Sequence, residues 1–429
     1  MQATIDRSEP VTAMAATQTM ADTVKVFTKA SDFAAIEADW RALEALVPDA
    51  SYFTSFDWCE CWWNWFGQDS GREFAVLAVY AGDAIQALLP LTVARSMVFS
   101  SARLMGDDTG QYADCLVRPE RRGDPALARA VASGLKRLGL DRITLTNCRD
   151  DSAVAELVGS WRGGRAGSRK TWIRAAEYSN VEIRPADFDG LKVYRSSRSS
   201  SLRKGLRRRR RKLAELGDVQ YKRITEPGAF AGLAQHIVRL KLEWLDDNGL
   251  HGRYLARPGL VGWMAEVMAR AAASGHLHMS VMTVDGRACA AQLAFQSRVK
   301  VTGYFSAFDI ALSRNAVGKL HLEDLIVDIF EHDQVLDLMP PADSYKREWG
   351  VEVMKVAAYT VPLTPWGAFV SRFYSVKTRA LAKSAYLRLP QGLRAGVAAG
   401  ILDFLRRIKR TLAGSAPTAS PSNLKRTEG

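Results

Sequence analysis

Side chains able to do chemistry gather mainly between Gly275 and Gly350, with further groups upstream. The loop Ser313-Arg314-Asn315-Ala316-Val317-Gly318-Lys319 leads from an apolar run into a helical pattern. Such a step leaves backbone N–H groups bare at a helix start, where a phosphate or other anion is favoured. Arg314 and Lys319 add charge-assisted donors, and Gly318 allows close approach of a ligand to the backbone. Asp309, just before this loop, and Glu243, beside Trp244 on a helical pattern, are candidate general bases, with His236 a weaker third. Tyr345 and Lys346 offer an acid and a cation. Upstream, Asp107, Asp108, Gln111, Tyr112 and Asp114 crowd a Gly-flanked loop, and Asp108, Gln111 and Tyr112 are read as facing a substrate. Trp58, Trp62 and Trp65 fall on one helical stripe and are read as core, which leaves Trp63 and, further on, Trp244 as pocket walls. No metal site is expected: Cys59-Glu-Cys61 lacks a second pair, and the six histidines lack ligand spacing.

The elements that must hold these residues follow from periodicity. Asp285-Gly286 between two apolar runs, His278–Val284 and Ala288–Gln296, is a hairpin signal, and Val299–Phe305 reads as the next strand. A helix over Lys319–Glu331, a strand over Val335–Leu338 and a loop bearing Tyr345 and Lys346 follow, then a last strand over Val353–Val361. Before this unit come a strand over Val219–Ile224 and helices over Pro227–Leu245 and Leu260–Ala273. The first half has a similar order: strand Val24–Thr28, a helix capped by Ser31, an aromatic helix over Ser55–Phe66, a hairpin over residues 73–93, a helix over Pro125–Leu138 and a strand over Arg142–Thr146. Trp161–Thr171 reads as a loop near a boundary. The pattern predicts an α+β protein with one architecture used twice.

The boundaries read as a disordered leader over 1–21, a first domain over 22–172, a second over 173–362, a basic amphipathic helical tail over 363–412 and a disordered end over 413–429. Net charge is +13 in 429 residues, but it is concentrated. Arg198–Lys212 holds nine basic residues and no acid, and Trp366–Leu412 holds ten and one acid, so the body is mildly acidic. In Gly392–Leu412, Leu393, Val397, Ile401, Leu405 and Ile408 share one face opposite the cations, as in a helix lying at a membrane surface. Together with Arg203–Lys212 it implies an anionic membrane partner. The arginines are not interleaved with base-stacking residues, which argues against RNA. No apolar run reaches the ~20 residues that span a bilayer, and five unpaired cysteines fit a reducing compartment. The expected location is cytoplasmic, peripheral on the inner membrane.

An ordered set of motifs adds to this reading. It comprises an Arg-rich helix ending at Gly217, Lys241-x-x-Trp244 with Gly249, Tyr304-Phe305-x-x-x-Asp309, Gly318 at a helix start, and Tyr345-Lys346-x-x-Trp349-Gly350. In this order, over Val24–Pro362, the chain resembles the GNAT N-acetyltransferase superfamily. More narrowly, it is similar to the CelD-like branch associated with cellulose and exopolysaccharide biosynthesis, which is related to the tandem-GNAT Fem aminoacyl transferases. The resemblance implies two tandem GNAT-like domains and acyl transfer, with acetyl-CoA as donor and a sugar or lipid-linked sugar as acceptor. It places the thioester on backbone groups of Tyr304, Phe305 and Ser306 and the phosphates at Arg314, Val317, Gly318 and Lys319. Asp309, Glu243, Tyr345 and Lys346 become the catalytic candidates. The family's usual loop, Arg/Gln-x-x-Gly-x-Gly/Ala, has two small residues where this one has a single Gly, so aminoacyl-tRNA stays open as an alternative donor. A non-catalytic docking protein on the same fold stays open as well.

Overall fold

In a computed structural model, residues 21–47, 49–163, 173–250, 254–373 and 407 are described. The sequence-predicted tail helix over Gly392–Leu412 (apart from Arg407), the leader over residues 1–20 and the end over 413–429 lie outside the described residues.

The first half runs β1 (Asp22–Phe27), α1 (Asp32–Leu46), α2 (Phe56–Trp62), β2 (Glu73–Ala81), β3 (Ala84–Arg95), β4 (Ser100–Leu104), β5 (Leu116–Val117), α3 (Pro125–Arg137), β6 (Arg142–Arg149) and α4 (Ala153–Gly163). The second runs β7 (Ile173–Ile183), α5 (Gly190–Ser197), α6 (Ser200–Ala214), β8 (Val219–Arg223), α7 (Phe230–Asp247), α8 (Leu260–Ala273), β9 (Leu277–Val284), β10 (Arg287–Gln296), β11 (Lys300–Phe308), α9 (Val317–Glu331), β12 (Val335–Asp337), α10 (Ser344–Arg347) and β13 (Val351–Pro362), followed by α11 (Pro365–Phe373). The thirteen strands among the described residues join one mixed sheet, in the order β1-β2-β3-β4-β6-β13-β7-β12-β11-β10-β9-β8, with β5 on β3. Each half contributes one parallel pair, β4 with β6 and β11 with β12. β13 lies between β6 and β7, so the last described strand closes the first half against the second.

Packing ties the halves further. On one face a single apolar core draws α1 and α2 of the first half and α7 and α8 of the second into contact, with Trp40, Trp58 and Trp263 fully buried. The other face carries two separate cores, one under α3 and α4 and one under α5, α6 and α9.

Several local expectations change. Ser31 makes no capping bond; the Asp32 carboxylate accepts the Thr28 and Lys29 amides instead. The aromatic helix does not keep its stripe to Phe66. After Trp62 it widens into a π-turn over Trp63–Gly67, which inserts a residue and rotates the phase. Trp63 is therefore core, edge-on to Phe74, while Trp65 turns outward, lies over Gly262 and donates to Glu266. Trp161 belongs to α4, a helix missed in the sequence, and its indole N–H caps the Ala128 carbonyl. Tyr345 and Lys346 sit on the short helix α10 rather than in a loop.

Candidate active site

The second half builds an open cleft from one irregular strand. β11 pairs with β10 on one edge, and there Tyr304 is an extra residue: Leu293 faces Phe305 while Ala294 faces Gly303. A bulge of this kind bends its strand. On its other edge β11 pairs with β12 only at Lys300, Val301 and Thr302. β12 then ends, and the chain turns away at Met339, whose φ is 64°. From Tyr304 to Phe308 the outer edge of β11 has no strand partner among the described residues. Unpaired N–H and C=O groups along a strand edge are suited to an extended ligand.

The loop after β11 ends at the N-terminus of α9. Ala316 takes the left-handed conformation (φ 52°, ψ 45°) and returns its carbonyl to the Lys319 and Leu320 amides. The Val317 and Gly318 amides make no hydrogen bond to any described group. Ser313-x-x-Ala316-x-Gly318 thus has the spacing of the two-glycine loop, with Ala316 holding the left-handed position that glycine occupies most cheaply. Gly318 has a packing reason too, since a Cβ there would stand 3.1 Å from the Phe308 ring. Arg314 is exposed and has no ion partner among the described residues, whereas Lys319 pairs with Glu348 at 2.6 Å.

The other candidates divide by their surroundings. Asp309 caps the short turn after β11, accepting the Ala311 amide at 2.9 Å. Glu243 is held by Arg239 on the surface of α7. Lys346 is buried and donates to the Met339 and Pro341 carbonyls at 2.8 and 2.9 Å, so it fixes the turn after β12. Tyr345 is exposed over 45% of its surface, and its phenol is raised by partial burial, then by Asp343. Ser306 is exposed and donates to Gln292, Phe305 is core, and the Tyr304 hydroxyl bonds that of Tyr254 at 2.8 Å.

Lys241 is a residue the sequence reading quoted in a motif but did not place in the site. It lies on α7, which packs on β11, with its ammonium 4.6 Å from the centre of the Trp244 ring. It has no carboxylate partner among the described residues, and burial lowers its pKa. Burial lowers the pKa of Lys346 as well, Asp343 and Asp337 oppose this, and the charge of Lys241 adds a smaller lowering.

The first half lacks this cleft. β4 has five residues and no bulge against β3. Beyond its three pairs with β6, the splay is filled by the strap Met105–Ala113, whose Ala113 amide bonds the Asn147 carbonyl. A pocket of about 10 Å³ lies between the strap and β4, room for about one water. Within the strap, Asp108 is not free: it accepts the Trp62 indole and the Arg257 guanidinium, each at 2.8 Å, and so joins the halves. Tyr112 is buried and donates to Asp337 of β12 at 2.9 Å, and Gln111 beside it is half-buried.

Between the halves lies a cavity of about 350 Å³. Tyr52, Phe53 and Phe295 give it an aromatic wall, and Arg149, Asp151 and Lys300 give it charges of both signs. Asp114 also lines it; burial lifts its carboxyl to about 6 despite the Val154 and Cys115 amides. Behind the cavity Arg149 reaches Asp337 at 3.3 Å and Glu182 at 3.6 Å, and Lys300 reaches Glu182 at 3.0 Å. Lys300 and Thr302 line the cavity and the open edge begins after Gly303, so one strand runs from cavity to cleft.

Histidines do converge in one place: His278 bonds Asp328 and His321 bonds Ser280, all buried beneath α9. They line none of the cavities described. Among the described residues no group of three or more His, Cys, Asp or Glu side chains could hold a metal ion.

A bulged, splayed strand feeding a bare helix N-terminus, carried on a repeated α+β frame, can hold an extended ligand with an anionic end. The sequence agrees, since residues 200–347 match the acetyltransferase (GNAT) domain family. Residues 200–347 therefore carry a GNAT acetyltransferase domain, and the chain as a whole shares its fold with FemX. None of the curated proteins compared matches it. Among solved structures it is similar to FemX, at 10% identity and TM-score 0.52 over 77% of this chain and 98% of that one. It is also similar to a tandem GNAT protein from the clavulanic acid biosynthesis pathway, at 12% identity and TM-score 0.46 over 80% and 99%. A third is the C-terminal domain of a lysylphosphatidylglycerol synthetase from Agrobacterium fabrum, at 11% identity and TM-score 0.47 over 79% and 95%.

Proposed function

We propose that the chain moves an acetyl group from acetyl-CoA to an amine or hydroxyl of a sugar, free or lipid-linked, used in an envelope or exopolysaccharide. The observation that carries this is the unpartnered edge of β11 beyond its bulge, ending at the free Val317 and Gly318 amides. Pantetheine would lie along that edge and the phosphates at α9, near Arg314. Bound there, the donor supplies an activated thioester. A β11 amide at the thioester oxygen stabilises the charge that develops as the acceptor atom bonds to the carbonyl carbon. Lys241, biased by burial toward its neutral form, takes the proton that the acceptor loses. The C–S bond breaks, and Tyr345, kept protonated by burial, gives a proton to the departing sulfur. Asp309 and Lys346 act through position, one shaping the loop and the other the turn facing it.

The acceptor fits the cavity between the halves. Aromatic faces beside carboxylates and cations suit a sugar ring, with apolar faces and many hydroxyls. The order of motifs shared with the CelD-like branch supports the same class. The outer face of α6, with Lys204, Arg208, Arg211 and Lys212 bare of acids, would hold the enzyme to anionic lipid. Among the described residues no helix is long and apolar enough to cross a membrane. That cationic face also leaves room for a second donor, an aminoacyl-tRNA, although it lacks interleaved base-stacking residues.

Calorimetry on the full chain separates the donors. Acetyl-CoA should bind, and Arg314→Glu should weaken it at least tenfold. Binding of charged tRNA with no response to acetyl-CoA would transfer the reading to aminoacyl transfer. Equal sedimentation with anionic vesicles for the full chain and one ending at Pro362 would remove the tail helix from the membrane contact.

A further inference from the structure

A second recess lies away from the cleft, between α5–α6 and α9, with a volume of about 510 Å³, within the range of small-ligand sites. Ser199 caps α6 by accepting the Leu202 amide, and Leu202, Leu206 and Leu213 anchor its buried stripe. The floor of the recess is apolar, formed by Tyr194, Leu202, Leu206, Ile326 and Trp349. The rim is cationic, formed by Arg195, Arg198, Arg203, Arg207 and Arg210.

The hydrogen-bond inventory of this recess is one-sided. Its two carboxylates, Glu323 and Asp324, are both taken by Arg210, at 2.8 and 2.7 Å. Arg198 is preset: it donates to the Trp349 carbonyl at 2.8 Å and lies 4.9 Å from the centre of the Tyr194 ring. Arg195, Arg203 and Arg207 form no ion pair among the described residues. The indole N–H of Trp349, a residue only 2% exposed, is buried without an acceptor. A buried donor left unpaired costs about 1–3 kcal/mol, so such groups are rare unless something satisfies them. Apart from the second oxygen of Glu323, the uncommitted side-chain polar groups here are donors, and most carry charge. The complement is a ligand rich in anionic oxygens, and the recess is larger than one phosphate needs.

We infer that the recess between α5–α6 and α9 is a binding site for a diphosphate group carried by a small organic molecule. A flat lipid surface could meet the outer cations of α6, but not the buried indole of Trp349. Two sources share the chemistry, a nucleoside diphosphate and the phosphorylated adenosine end of coenzyme A. The site stands independently of the donor cleft, because none of its residues belongs to the loop at Gly318.

The test uses the full chain carrying Arg314→Glu, so that phosphates at α9 do not contribute. Inorganic pyrophosphate is titrated by calorimetry, first alone and then after Arg203→Gln with Arg207→Gln, or after Arg211→Gln, which alters the same helix outside the recess. Saturable binding that falls at least tenfold in the first variant and less than twofold in the second supports the site. Quenching of tryptophan fluorescence on binding, lost in Trp349→Phe, supports the indole as a ligand. Absence of binding, or equal loss in both arginine variants, overturns it in favour of diffuse attraction to a basic helix. Uridine diphosphate, coenzyme A and dephospho-coenzyme A then distinguish the sources. Circular dichroism spectra matching the parent confirm that each variant is folded.

Discussion

Arg149→Met is the most informative single change, because Arg149 of β6 neutralises buried carboxylates that belong to the other half. Its guanidinium lies 3.3 Å from Asp337, 3.6 Å from Glu182 and 2.7 Å from Asp151. Asp337 and Glu182 are almost fully buried. At 3.3 Å the attraction to Asp337 is about 5 kcal/mol for an effective dielectric near 20. Breaking a buried pair from one side costs about 3–5 kcal/mol. Glu182 keeps Lys300 and Arg184, and Asp337 keeps the Tyr112 hydroxyl and the Met339 amide. The expected loss is therefore near the low end, about 3 kcal/mol. Asp337→Asn should recover part of it, and the double variant should fall short of additivity by about 2 kcal/mol. Burial already holds the Asp337 carboxyl above its usual value, and losing Arg149 raises it further. A carboxyl whose folded pKa exceeds its unfolded one costs stability as pH rises through the folded value, so the deficit should be larger at pH 7 than at pH 5. Urea unfolding, followed by tryptophan fluorescence and near-UV circular dichroism at both pH values, reads all three. Additive losses within about 0.5 kcal/mol, or a deficit that ignores pH, would refute the account of Arg149 as a buried counterion.

Other changes follow from single observations. Ala316→Gly should stabilise the fold by about 1 kcal/mol, because Ala316 holds a left-handed backbone at φ 52°; a lower urea midpoint would contradict this. Trp63→Ala should cost about 3–5 kcal/mol as a core deletion, and Trp65→Ala less than half of that, since Trp65 is 39% exposed; the reverse order would mean the π-turn is misread. His321 is buried, with its pKa lowered to about 3 mainly by burial and then by His278. The folded state holds it neutral, so stability is complete above the unfolded pKa and falls as acid is added, by about 2 kcal/mol between pH 6.5 and 5. His321→Gln should flatten that slope in urea titrations. Lys241→Met should abolish the limb of the pH–rate profile on which turnover rises with pH, and Lys241→Arg should not restore it, because arginine does not deprotonate. A limb that persists in Lys241→Met would assign it to another group.

Much of the fold is written in local patterns. The Asp285-Gly286 turn, the α8 helix and the β9–β10–β11 succession follow from periodicity, and their observed limits differ by only a few residues. The motif order carried the GNAT assignment over the region that matches the family. What escaped depends on long range or on phase. The π-turn after Trp62 exchanges the roles of Trp63 and Trp65, and nothing in SFDWCECWWNWF marks where the phase slips. The bulge at Tyr304 is a mismatch between two strands, so neither strand records it alone. Lys346 reads as a free cation until the carbonyls of Met339 and Pro341 fold around it. Asp337 did carry a hint, a carboxylate within the apolar run Val-Leu-Asp-Leu, but its partners Tyr112 and Arg149 come from the other half.

The same strap that closes the first splay also joins the two halves, which explains how one copy of a duplicated frame can lose its cleft while the protein keeps both. Ala113 bonds Asn147 inside the splay, Asp108 reaches Trp62 and Arg257, and Tyr112 reaches Asp337. Pulling the strap out to reopen the first cleft would strip Asp337 of a hydrogen bond and Arg257 of its carboxylate in the half that has an open one. Filling one cleft and bracing the other are therefore a single set of contacts. With acetyl-CoA as the proposed donor, a design that lifts the strap, such as Tyr112→Ala with Asp108→Ala, should weaken its binding to the second half before it yields any in the first. Gain of a second acetyl-CoA site with the original one unchanged would show that the two roles are separable.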